Sequence, residues 1–420
     1  MKRIILLTCI LAGLWSAPAS AYSVLTHEAI IDSLWTDTIT PLLKQRFPEA
    51  TDADILEAHK YAYGGAIIQD MGYYPFGSKL FTDLVHYVRS ADFVAALLQQ
   101  STDLKEYAFA LGALAHYASD NSGHAIATNL AVPMLFPKLR KKFGGTVTYD
   151  ESPSAHLKTE FGFDVVQTAR GHFAPQSYHD FIGFDVSKDV LERAFHQTYS
   201  LSLSDVFSNL DLAISSYRKT VGVLIPKMTR VAWQNKKDEI QKAVPGITQR
   251  KFLYNLSRAS FEKEWGKDYK KPGFFARFFG FLSRIMPKIG PFKTLDFKIP
   301  TPETERMFMQ SFDVTLTQYR QLAQEIHAGN LTLPNKDLDI GQPSRAGEYA
   351  LGDQTYARLL EKLQEKHFTN VDAGLRENIL TFYSAPAKWK EPRKEKERAK
   401  VVQALEELRN LSPVNSGPSQ

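Results

Sequence analysis

Apolar residues recur at three- and four-residue intervals along most of the chain, the spacing that keeps one face of a helix apolar. Glu28 to Leu43 is periodic in this way, and so is Asp52 to Ile68, with Thr51 or Asp52 as cap. Thr102 or Asp103 caps a long helix through Leu114 and beyond, and Ala155 to Thr168 follows Pro153 and Ser154, a normal helix start. Val190 to Val231 holds one or two more. Thr301 to Ala328 reads as a long helix, Gly329 to Gly347 as loop, and Glu348 to Leu363 and Asp372 to Tyr383 as helix again. Strand signals are few, Gly145-Thr146-Val147-Thr148-Tyr149 being the best. The pattern predicts an all-α protein without a fixed-period repeat.

Composition places the 420 residues among globular chains, with 44% hydrophobic and 23% charged residues. The start is different. Lys2 and Arg3 precede the apolar run Ile4 to Trp15, and Ala19-Ser20-Ala21 fits a small-x-small cleavage site. Residues 1–21 therefore read as an export signal, leaving Tyr22 as the new N-terminus of a periplasmic or secreted protein. A lipoprotein signal at Leu6-Leu7-Thr8-Cys9 is the rival, and Thr8 fits it poorly. Cys9 is the only cysteine, so disulfides and thiolate metal sites are excluded, and any metal must take nitrogen and oxygen ligands. The net charge of +5 is too mild to announce a nucleic-acid binder. Residues 22–240 are expected to form one helical catalytic domain. A basic, aromatic segment at 251–300, a helical region at 301–410 and a disordered tail at 411–420 follow.

The chemistry concentrates early. In His116-Tyr117-Ala118-Ser119-Asp120-Asn121-Ser122-Gly123-His124, imidazole, carboxylate and imidazole recur every four residues, and positions i and i+4 share a helix face. His156 and Glu160 repeat the spacing. Such sets are standard zinc ligands, whereas calcium prefers all-oxygen shells. A single pair of this kind is common on surfaces. Here the preceding Ala108 to Ala115 carries no charged side chain, so His116 and Asp120 continue a buried-looking helix. Buried without partners they would be costly, and a metal removes that cost.

The mature start, Tyr22-Ser23-Val24-Leu25-Thr26-His27, resembles that of the zinc-dependent phospholipase C and single-strand nuclease superfamily. Asp70 in its small-residue stretch, His86, His116-x-x-x-Asp120, His124 and His156-x-x-x-Glu160 follow in the family's order. The resemblance implies a helical fold around three zinc ions. One is held by Asp70, His86, His116 and Asp120, and a second by His124, His156 and Glu160. The third is held by the Tyr22 amino nitrogen and carbonyl, His27 and the bridging Asp120. It further implies attack of metal-activated water on a phosphate diester, with Asp70 orienting or deprotonating that water.

Three departures stand out. The chain from Lys251 onward is not part of the resemblance. Tyr22 replaces the usual Trp. The step from Asp120 to His124 is shorter than the family's, so either the helix continues or Gly123 turns the chain early. The preferred reading is a phospholipase C acting on a phospholipid. Phe274 to Met286 is a possible membrane-contacting segment, though covering the core is the commoner role of such a run. The alternatives are a single-strand nuclease on the same metals and a non-catalytic metal-binding protein. Asp83 is a substitute for Asp70, and His172 and His179 are possible outer neighbours of the second pair. His59, His196, His327 and His367 are set aside.

Overall fold

The computed structural model describes residues 22–173, 184–258, 296–384 and 395–411. Residues 1–21, expected to be an export signal, Phe274 to Met286, His179 and the tail from residue 412 lie outside them. The chain is all-α. In order, the helices are α1 (Val24–Leu34), α2 (Thr40–Arg46), α3 (Asp52–Gly65), α4 (Lys79–Tyr87), α5 (Ser90–Gln100) and α6 (Leu104–Ser122). Next come α7 (Asn129–Leu135), α8 (Pro137–Phe143), α9 (Pro153–Arg170), α10 (Lys188–Tyr199), α11 (Leu203–Val206) and α12 (Leu210–Lys219). The series ends with α13 (Ile225–Ala243), α14 (Gln249–Arg258), α15 (Pro302–His327), α16 (Ala350–Glu365), α17 (Ala373–Phe382) and α18 (Glu395–Asn410). No helix among the described residues is long and apolar enough to cross a membrane.

Local chemistry sets the ends of the central helices. Thr51 and Asp54 form a reciprocal capping box at the start of α3. Asp103 accepts from the backbone N–H groups of Lys105 and Glu106 at the start of α6, a cap that contributes about 1 kcal/mol. Helix α6 is buried on nearly every side, as its run of small and apolar residues requires. It packs against α3 at very short range. A Cβ on Gly112 would lie 2.1 Å from the Ala62 carbonyl oxygen, and one on Gly65 would lie 1.9 Å from that of Phe109. The two helices can meet this closely only because both contact positions are glycine.

Helix α15 lies along α6 from the other side. The Tyr319 hydroxyl donates to the Leu111 carbonyl at 3.1 Å, and Ser122 donates to Gln318 at 2.9 Å. One apolar core thus runs from Tyr22 and α1 through α6 and α15 to Leu408 in α18. A second, smaller core joins α9, α13 and α14 through Phe161, Val165, Trp233 and Phe252.

The strand expected at Gly145 to Tyr149 does not form. The stretch pairs with no neighbouring strand, because helices take up its backbone. Val147 N–H donates to the Asn129 carbonyl at 2.9 Å, and the Val147 carbonyl accepts from His156 at 2.7 Å. Among the described residues the only ladder is the short antiparallel pair Lys336–Asp337 with Gln342–Pro343. The helix expected to reach Ile68 ends at Gly65, and a 3-10 turn, Ile68–Tyr73, follows it.

The α3–α6 contact makes a direct prediction. Gly112→Ala should force the two helices apart and destabilise the zinc-free protein by about 1–3 kcal/mol. Urea unfolding checks this, and an unchanged midpoint would show that the contact tolerates a methyl group.

Candidate metal centre

Six elements deliver the chemical side chains. Helix α1 carries His27, the 3-10 turn carries Asp70, α4 carries His86, and α6 carries His116 and Asp120. Helix α9 adds His156 and Glu160. His124 sits just past α6, in a π-helical turn, Gly123–Thr128, that joins it to α7. The helix thus continues through Gly123, widened by one residue per turn, rather than breaking there. Such wide turns are rare and gather at functional sites.

These residues fall into adjoining groups, each with ligand atoms within 4.8 Å of one another: His27, His116 and Asp120; Asp70, His86 and His116; and His124, His156 and Glu160. All are buried to within 2% of complete. Asp120 connects the first two. Its carboxylate lies 3.2 Å from His116 Nε2, 3.5 Å from His86 Nε2 and 3.8 Å from His27 Nε2. Asp70 Oδ1 lies 3.6 Å from His86 Nε2. Tyr22 is buried beside them, its ring edge-on to His27 with centroids 6.0 Å apart, and its hydroxyl is 2.5 Å from Ser311 Oγ on α15.

Each imidazole is aimed by its second nitrogen. His86 Nδ1–H donates to the Thr82 carbonyl at 2.8 Å, and His116 Nδ1–H donates to that of Ala66 at 2.9 Å. His156 Nε2–H donates to the Val147 carbonyl. Ser119 gives its proton to the His116 carbonyl and so accepts from His27 Nδ1–H at 3.2 Å. Asp164 on α9 fixes the helix that bears His27, accepting from Leu25 N–H at 3.1 Å and from the Thr26 hydroxyl at 2.6 Å. A carbonyl accepts only, so these bonds leave lone pairs pointing inward at His86 Nε2, His116 Nε2 and His156 Nδ1.

The arrangement fits a metal better than a hydrogen-bond network. The Nε2 atoms of His86 and His116 face each other at 3.3 Å with both Nδ1 protons already committed. Two lone pairs at that distance repel unless a proton or a cation lies between them. Neither oxygen of Asp120 receives a well-aligned hydrogen bond, and Glu160 Oε1, His124 Nδ1 and His156 Nδ1 are likewise buried without a hydrogen-bond partner. Leaving such groups bare costs roughly 1–3 kcal/mol each. Nitrogen and oxygen donors on a tight centre are the set that zinc takes.

The electrostatics agree. Burial would raise the Asp120 carboxyl, yet His116, His86 and His27 hold it well below the usual carboxylate range. Burial and the neighbouring His116 push His27 down to about 3, and burial with His124 pushes His156 down to about 3. Both imidazoles are thus neutral and ready to bind. Burial also acts to lower His86, but Asp120 and Asp70 raise it. Glu160 is raised well above its ordinary value by burial first and the other carboxylates second.

Several other sequence candidates lie elsewhere. Asp83 pairs with Lys79 and, at 3.2 Å, with Arg358. His172 bonds Gln167 at 2.7 Å, beyond the end of α9. His59 is held by Asp32 at 3.1 Å and stacks on Trp35. His327 bonds Gln45 at an exposed position. One residue was missed. Asp339, far along the chain, places Oδ1 3.2 Å from His124 Nε2. No motif or helical spacing marks it, since it lies in a loop that only tertiary folding brings to the centre.

Fold and site together define a helical metalloprotein with a buried multi-histidine, multi-carboxylate centre. Residues 26–209 match the family model of zinc-dependent phospholipase C. A search of curated proteins and a search of solved structures each found no match. The match includes every group from His27 to Glu160 and ends well before Asp339.

Two outcomes follow. Asp120→Asn should lose more than one equivalent of zinc, read by elemental analysis, because one carboxylate serves two groups. Full metal content in the variant would remove Asp120 from the centre. Zinc must also compete with protons at His86 and Glu160, both of which are shifted upward. Apparent zinc affinity should therefore increase as pH rises from about 5.5 to about 8, measured by competition with a chelating dye. A flat profile would show that neither group is a ligand.

Proposed function

We propose that this protein is an exported zinc-dependent phosphodiesterase that cleaves a phospholipid at its phosphate diester. The observation that carries the reading is the convergence of buried donor atoms lacking hydrogen-bond partners within the phospholipase C family match. His86, His116, Asp70 and Asp120 would hold one ion, His124, His156 and Glu160 a second, and His27 with Asp120 and the Tyr22 main chain a third. Bound zinc would supply charge to neutralise phosphoryl oxygens and would acidify water near neutral pH.

The chain's own residues do the rest. Thr82, Ala66 and Val147 carbonyls hold His86, His116 and His156 in one tautomer, so no reorganisation accompanies binding. Asp70, beside His86, orients the attacking water and takes its proton at the carboxylate. Tyr73 and Tyr149 pack beside the groups, with ring centroids 6.4 Å from His86 and 6.0 Å from His156 respectively. The nuclease alternative relies on basic and aromatic residues around Phe274 to Met286, outside the described residues.

Zinc-loaded protein should release diacylglycerol and a phosphorylated head group from a phospholipid panel and leave single-stranded DNA intact. Chelation should abolish the release and added zinc restore it. DNA cleavage without lipid cleavage would overturn the reading in favour of the nuclease.

The reading also makes removal of residues 1–21 part of assembly. A free α-amine, with a pKa near 8, loses its proton readily to zinc, whereas an amide nitrogen is a poor ligand. The burial of Tyr22 against His27 supports this role. Protein made with an extension before Tyr22 should lack one zinc equivalent and most of its activity, and trimming should restore both. Equal zinc content and equal rates with and without the extension would remove the terminal amine from the centre.

A further inference from the structure

Asp339 belongs to a segment that neither the family match nor the sequence motifs include, yet it is built into the centre. Its Oδ2 accepts from the Tyr87 hydroxyl at 2.8 Å and from the Tyr349 hydroxyl at 2.5 Å. Its Oδ1 lies 3.2 Å from His124 Nε2. The carboxylate is 3% exposed, so it has no bulk water to lean on.

The backbone around it is equally constrained. Leu338 N–H donates to the His86 carbonyl at 3.1 Å, and Asn129 donates to the Asp339 carbonyl at 2.7 Å. Ser344 donates to the Tyr87 carbonyl at 3.0 Å, and Tyr117 donates to the Pro334 carbonyl at 2.7 Å. Gly341, with φ of 67°, turns the segment where a Cβ would come 2.9 Å from the Asn121 carbonyl oxygen. Residues 334–344 are thereby strapped to α4, α6 and α7, the helices that carry or flank His86, His116 and His124.

His124 explains why. Its Nε2 faces Asp339, while its Nδ1 is buried with no hydrogen-bond partner. His156 shows the same polarity, with Nε2–H on a carbonyl and Nδ1 without a partner. We propose that Asp339 is a positioning residue that accepts the His124 Nε2 proton and commits Nδ1 to the metal held with His156 and Glu160. A carboxylate behind a metal-binding histidine both fixes its tautomer and raises its basicity. The C-terminal strap is then part of the metal centre, and the family-length segment lacks one support. This rests on the zinc reading above.

The test uses the full chain and zinc itself. Zinc stoichiometry and affinity are measured by chelator competition for the wild type, Asp339→Ala and Asp339→Asn. The wild type should bind its full complement, and Asp339→Ala should weaken one equivalent 10–100-fold and leave the others. Asp339→Asn, which keeps an acceptor oxygen, should recover part of that loss, which a merely structural gap would not explain. Equal affinity of every equivalent in wild type and Asp339→Ala overturns the role of Asp339 while the zinc reading stands. A wild type that binds no zinc overturns both. Should Asp339→Ala fail to fold, nitrogen-15 NMR of the zinc-loaded wild type decides. Metal on His124 Nδ1 with a proton on Nε2 supports the proposal, and metal on Nε2 overturns it.

Discussion

The burial of the Asp120 charge in the middle of an apolar helix is the constraint that organises the rest of the structure. A lone carboxylate in that position would cost several kilocalories per mole, and neighbouring imidazoles offset only part of this. Three histidines from three helices crowd around it. None neutralises it fully, because their other nitrogens are tied to carbonyls or to Ser119 and their inner nitrogens present lone pairs. The apolar packing of α3 and α15 against α6 leaves this carboxylate buried and makes the need for a cation acute. Close glycine contact, aimed imidazoles and an under-neutralised carboxylate are parts of one arrangement.

Backbone carbonyls do much of the aiming, and this shapes how irregular segments are used. Val147 lies in an extended stretch with no strand partner, yet its N–H and carbonyl are both satisfied by helical residues, and the carbonyl sets His156. Ala66 lies at the end of α3, where its carbonyl has no continuing helical turn to accept from, and His116 takes it. Helix ends and loops leave acceptors over, and the centre uses them.

Much of this was legible beforehand. The i, i+4 spacings of His116 with Asp120 and of His156 with Glu160 are local facts, and local spacing survives folding. Helices α3 and α6 could be placed because their apolar periodicity coincides with strong caps at Thr51 and Asp103, whereas α4, α5, α7 and α8 were not foreseen. Gly145 to Tyr149 misled because β-branched residues signal an extended backbone but not a partner strand. The passage from Asp120 to His124 left two routes open, since spacing alone does not distinguish a continuing wide turn from a break. Asp339 was invisible. It owes its place to its hydrogen bonds with Tyr87, Tyr349 and Asn129 and to that of its neighbour Leu338 with the His86 carbonyl, all with partners distant in sequence or unremarkable in type.

The strap also has a consequence in time. Roughly two hundred residues separate His124 from Asp339, and at ribosomal rates they take on the order of ten to forty seconds to make. During that interval His124 lacks the carboxylate that faces it in the finished protein. A histidine with neither ring nitrogen committed is free to choose the wrong one, and closure of so long a loop is slow to correct it. Metal captured early would meet an imidazole still able to turn. Metal captured after the strap has docked would meet one already set, which makes the order of chain completion and metallation a property of this sequence rather than an accident of its surroundings.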